Sequence, residues 1–296
     1  MASSPDTSPA RQHLRRYGRW TAGPPLGQGE LGRVFLAHDG AGHAAALQVV
    51  HASLARDREF RTRLARELPA IGAVRGRRTA ALVDADPQGA APWLATEYVA
   101  GPTLAARARA RDADGPLVTP TTTAGLLALA SALAEALDDI HRAGLVHGGL
   151  RPSNVLLAAD GPRVVDFGTA GCAGRTAGHA GRAGYTAPEL LAERGAAKPP
   201  ADIFSLGAVV AFAATGREPF DAGDGNPDLA GVPRELLPLV TACLATHPAA
   251  RPAPRTVARM AGLPLPGSRR RDLTLANALF LAQLAAAASP LDGRWT

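Results

Sequence analysis

The chain is expected to fold as an α+β protein of two lobes, a small β-rich lobe followed by a larger, mainly helical one. Three patterns predict it. Across residues 17–98, short β-like runs alternate with turns around one charged helical segment. After Pro102 the apolar residues take helical spacing, with Leu126, Leu129, Leu133, Leu137 and Ile140 recurring every three or four positions. Residues 202–215 are apolar nearly all round, which suits a helix buried on every side.

In chain order, residues 1–16 are rich in Ser, Pro and Arg without an apolar core. They read as a disordered arm and not as a secretory signal. Strands are predicted over 32–38, 44–50, 80–85 and 93–98, and the turn Asp39-Gly40 joins the first two. Residues 55–74 read as a helix that Pro69 should kink or end near Leu68. A hinge is expected at 97–101. The long helix carrying the leucine stripe should stop at Gly144. A strand and turn region follows at 145–167, then the buried helix, which Gly216 should end, then short helices punctuated by proline to about residue 263. The domain is thus expected over 17–263, with lobes of 17–98 and 102–263. Beyond it, 264–296 is a basic, Ala/Leu-rich extension in which Arg269-Arg270-Arg271 precedes 273–288. An amphipathic helix docking on the domain is favoured there over binding to a membrane surface.

Composition excludes several classes. At 46% hydrophobic and 20% charged residues, the chain is ordinary for a globular protein. Cys172 and Cys243 are its two cysteines, too few for a disulfide framework and without metal-ligand spacing, which points to a reducing, cytoplasmic setting. The net charge of +6 comes almost wholly from scattered arginine, since Lys198 is the one lysine. With no aromatic interleaving, it does not read as a nucleic-acid surface. No run of 18 apolar residues exists, so no transmembrane segment is expected.

The chemistry-bearing motifs lie in a fixed order. Gly27, Gly29, Gly32 and Val34 form G-x-G-x-x-G-x-V, a glycine loop through which backbone approaches phosphates closely. Ala45-Ala46-Leu47-Gln48 lies on the next strand, and Glu67 lies in the charged helix. Thr96-Glu97-Tyr98-Val99 precedes the hinge. His147-Gly148-Gly149 is followed five residues after Gly149 by Asn154, and Asp166-Phe167-Gly168 begins twelve residues after Asn154. Ala187-Pro188-Glu189, Asp202 and Arg251 complete the set.

In this order the motifs resemble those of bacterial serine/threonine protein kinases of the eukaryotic-like family, over nearly the full chain. The resemblance implies a bilobal protein-kinase-like fold, with ATP and Mg²⁺ as ligands. It assigns the glycine loop to the phosphates, Val34 and Ala46 to the roof of the adenine, Leu156 to its floor, and Glu97 and Val99 to its edge. Asn154 and Asp166 fall at the metal-binding positions. Asp202 would brace the loop carrying His147, and Arg251 would pair with Glu189.

The departures are specific. Gln48 stands where the family keeps the strand lysine that holds phosphates and pairs with Glu67. Gly149 replaces the aspartate that accepts the substrate's proton, and Gly148 replaces the adjacent arginine. Arg151 and Arg182 alter two positions beside that aspartate. The expectation is a pseudokinase with weakened ATP and Mg²⁺ binding, acting through an unidentified protein partner. Two alternatives stay open. One is a weakly active kinase using a displaced carboxylate such as Asp160 or Glu30; the other is a scaffold that binds no nucleotide. Asp166-Phe167-Gly168 would then be only a structural turn. Cys172 and Thr176 read as ordinary loop residues.

Overall fold

The structure, a computed structural model, describes residues 15–29, 31–114, 122–169, 183–192, 197–220 and 225–262. The C-terminal extension, most of the N-terminal arm, and Glu30, Cys172, Thr176 and Arg182 lie outside them.

Six antiparallel strands make the first lobe: β1 (Arg16–Tyr17), β2 (Trp20–Gln28), β3 (Gly32–His38), β4 (Ala44–Val50), β5 (Leu82–Asp86) and β6 (Trp93–Glu97). They are ordered β1-β2-β3-β4-β6-β5. The predicted strands 32–38 and 44–50 match β3 and β4, whereas 80–85 and 93–98 are displaced or shortened by one or two residues. Strand β2 alternates only over its first four residues, because Pro24, Pro25 and Gly27 interrupt it, and its register against β3 shifts twice there. Alternation does organise β4. Ala45 and Leu47 enter one core cluster with Trp20 and Trp93, so Ala46 and Gln48 face the other way.

The charged segment forms α1 (Ala52–Ala55) and α2 (Arg58–Ala73). Asp57 caps α2, accepting from the Glu59 and Phe60 amides at 2.8 and 3.2 Å. Pro69 neither ends nor divides the helix. The expected break fails because proline lies in the last two turns and removes one backbone bond, while burial continues on both sides of it. Phe60 and Leu64 are fully buried before it, and Ile71 is buried after it.

The second lobe contains α3 (Leu104–Asp114), α4 (Thr123–Arg142), the hairpin β7 (Val155–Ala158) and β8 (Gly161–Val164), α5 (Pro188–Ala192), α6 (Pro199–Thr215), α7 (Leu237–Cys243) and α8 (Pro254–Met260). Helix α4 is capped by Thr122, whose hydroxyl accepts from the Gly125 amide at 3.1 Å. Its leucine stripe and nearly all of α6 lie in one core that also takes in Ile71 and Val74. Gly216, at φ +76°, ends α6 in the left-handed conformation that glycine adopts without strain. The lobes are joined by backbone as well as packing. Ala80 N donates to Val164 O at 3.1 Å, and Val164 N donates to Arg78 O at 2.7 Å.

Candidate active site

A cavity of about 510 Å³ opens between the lobes. Strands β2, β3 and β4 roof it with Gly27, Gly29, Val34, Ala46 and Gln48. Its inner edge is Glu97 and Val99, and its floor is Leu156 with Asn154 and Asp166. Gly32 is the one glycine-loop position that does not line it. That glycine packs so closely on β4 that a Cβ would collide with the Val49 carbonyl.

Asp202 is 1% exposed and holds the loop preceding β7. Its Oδ2 accepts from the His147 amide and its Oδ1 from the Gly148 amide, both at 2.8 Å. His141 Nε2 also donates to Oδ2 at 2.8 Å, a link that crosses from α4 to α6. At the loop's far end, Asn154 Nδ2 donates to the Gly149 carbonyl at 2.9 Å. Gly149 therefore contributes a carbonyl to the loop's own brace and no side chain to the site. A second cavity of about 20 Å³ lies against Gly148, Gly149 and Arg151, room for about one water.

Asp166 has φ +63°, the one non-glycine residue with positive φ among those described. Phe167 after it is buried in the core that includes Ile71. Strained backbone of this kind costs about 1 kcal/mol or more and is held in place by surrounding packing. Here the packing is tight, since a Cβ on Gly168 would stand 2.9 Å from Ile71 Cγ1.

Gln48 is buried, and its Nε2 has no hydrogen-bond partner among the described residues. Glu67 is not among the residues lining the cavity, and its carboxylate lies 3.4 Å from Arg66 on its own helix. Helix α2 and strand β4 are thus not tied by an ion pair at these positions. For Mg²⁺, Asn154 and Asp166 present the oxygen atoms that ion prefers, on one wall. Two side chains are fewer than an all-protein site needs, so water and a bound nucleotide's oxygens would complete the coordination.

Farther out, Glu189 and Arg251 form a bidentate pair at 2.7 Å for each bond. Arg251 also donates to the carbonyls of Pro200, Ala245 and Thr246 at 2.8 to 3.1 Å, and its side chain is 0% exposed. Burial would raise the Glu189 carboxyl, but the Arg251 hydrogen bonds and charge outweigh it and hold Glu189 below the usual carboxylate range. Burial pushes the Cys243 thiol up to about 12, so that cysteine is inert packing.

The family model for the protein kinase domain matches residues 20–261. The chain belongs to the protein kinase family. Its domain is 42% identical over 256 residues to the serine/threonine-protein kinase AfsK of Streptomyces griseus, covering 80% of this chain and 31% of that protein. It is 40% identical to the probable serine/threonine-protein kinase PkwA of Thermomonospora curvata, covering 80% and 33%. This kinase domain therefore spans about a third of the length of the curated relatives it matches. Among solved structures, the Mycobacterium tuberculosis PknI kinase domain superposes with a TM-score of 0.69 at 27% identity, covering 84% of this chain and 97% of that one. No helix among the described residues is long and apolar enough to cross a membrane.

Three contacts of this kinase domain escaped the sequence reading. Arg163 Nη1 donates to Glu97 at 2.9 Å and its Nη2 to Asp160 at 2.7 Å, so one arginine ties the hinge to the β7–β8 turn. His141 supports Asp202. Arg151 lines both cavities. Only Arg151 had a sequence signal, as a cation at a motif position; the His141–Asp202 and Arg163–Glu97 bonds join residues more than 60 apart in the chain.

Proposed function

We propose that this chain is a pseudokinase, a protein kinase fold with weakened ATP and Mg²⁺ binding and impaired phosphotransfer, which acts on a protein partner in signalling. The observation that carries the reading is Gln48. A neutral amide occupies the position from which the family's lysine holds the α- and β-phosphates, and Glu67 is engaged elsewhere. Gly149 supplies no proton acceptor, which supports the same reading. The apolar slot formed by Val34, Ala46 and Leu156 supports retained recognition of a base. The sparse cysteine content supports a cytoplasmic setting, and the scattered arginine argues against nucleic acid as the partner.

Transfer of the ATP γ-phosphate to a protein Ser/Thr by a substitute carboxylate is the weaker reading. Asp160 is bound to Arg163, whose hydrogen bond holds its carboxyl below the usual range, and it does not line the cavity. A thermal-shift titration with ATP, with and without Mg²⁺, tests the proposal, because a ligand that binds the folded state raises its stability by mass action. A rise in Tm supports nucleotide recognition. No shift at millimolar ATP would leave a nucleotide-free scaffold.

A further inference from the structure

The phosphate end of the cavity is narrowed by the protein itself. At the tip of the glycine loop, Gly29 lies close to Gln48 in the roof and Asp166 in the floor. A Cβ there would collide with Gln48 Nε2 and stand 3.0 Å from Asp166 Oδ2. The loop's backbone is also committed, because Gly29 N donates to Gly32 O at 2.8 Å. A phosphate cradle depends on such N–H groups pointing at the anion, and this one points back into its own loop.

Charge works in the same direction. Among the described residues lining the cavity, Arg151 is the one cation, set against Glu97 and Asp166. Gln48 adds a buried neutral donor whose Nε2 has no partner among the described residues. Such a donor suits a hydroxyl or carbonyl oxygen, and a polyphosphate would bring several negative charges into a site that does not neutralise them. The rest of the cavity is an apolar slot between Val34 and Ala46 above and Leu156 below, with Ala80 and Val165 behind.

Resting on the reading that this cavity recognises a nucleotide's base, we infer that its preferred ligand is a nucleoside, held by base and sugar, with Gly29 and Gln48 narrowing the polyphosphate subsite. Gln48 is then the residue that sets specificity. Its amide sits at the junction of sugar and phosphate and rewards an uncharged oxygen. The phosphates of ATP must displace the loop tip before they can enter, so they weaken binding instead of strengthening it.

The test is isothermal titration of the full chain with adenosine, AMP and ATP, each with and without Mg²⁺. Adenosine is expected to bind about threefold or more tightly than ATP, and Mg²⁺ to change the ATP affinity by less than about twofold. Gln48→Lys is expected to improve ATP relative to adenosine by about tenfold and to make ATP binding depend on Mg²⁺. Gly29→Ala, whose Cβ would push the Gln48 amide aside, should shift the ratio in the same direction without adding charge. Ala46→Leu should abolish adenosine binding, placing it in this cavity; unchanged binding would overturn the inference. ATP binding about tenfold tighter than adenosine in the natural chain would sink the inference while sparing the nucleotide reading. Binding of neither ligand would sink both.

Discussion

Asp202→Ala isolates the brace beneath the catalytic-loop segment, and its cost can be worked from the contacts. The substitution removes the acceptor for two amides, His147 N and Gly148 N, each bonded at 2.8 Å, and releases His141. A buried donor left without a partner costs about 1–3 kcal/mol. Two such donors give about 4 kcal/mol at mid-range, with little added for His141, whose side chain reaches solvent. For a domain of this size each kcal/mol lowers Tm by about 2–4 °C, so a fall of about 8–16 °C is expected. Asp202→Asn retains one acceptor and should lose about half as much. Thermal melts followed by far-UV circular dichroism give the global figure. Amide hydrogen exchange gives the local one, with His147 and Gly148 expected to exchange faster in the variant. A Tm loss below about 3 °C, or amides that stay protected, would refute the view that this carboxylate holds the loop.

Arg251→Lys keeps the charge but loses the fork that grips Glu189 and three carbonyls, and should cost about 3 kcal/mol in chemical denaturation. Because Glu189 is depressed in the folded state, its contribution is fully present above the ordinary glutamate value of about 4.3 and is lost as pH falls through the folded value. Melts from about pH 6 down to about pH 3 should therefore fall more steeply for the natural chain than for Glu189→Gln. Restoring Gln48→Lys with Gly149→Asp should raise phosphotransfer only when Arg182→Thr is added. A gain from either single change would contradict the idea that these positions were lost as a unit.

Much of this fold was legible because its signals are local. The leucine stripe of α4 and the all-round apolar pattern of α6 follow from helical periodicity, and Gly144 and Gly216 mark their ends. The family resemblance that the motif order carries implied the roles of Asp202 and of the Glu189–Arg251 pair. What was illegible depends on packing between distant segments. Pro69 predicts a kink or an end near Leu68, yet α2 runs on past it to Ala73, with Leu64 and Ile71 buried on either side. The bond from Arg163 to Glu97 spans 66 residues and has no pattern in either segment. The closeness of Gly29 to Gln48 is a matter of ångströms, beyond the reach of spacing.

Phosphotransfer itself tests the central claim most directly. Purified full-length chain incubated with γ-radiolabelled ATP and Mg²⁺, alone and with a generic Ser/Thr protein substrate, should incorporate no more label than an Asp166→Ala control. Incorporation above that control on serine or threonine, abolished by Asp166→Ala, would contradict the account and make this chain a working kinase.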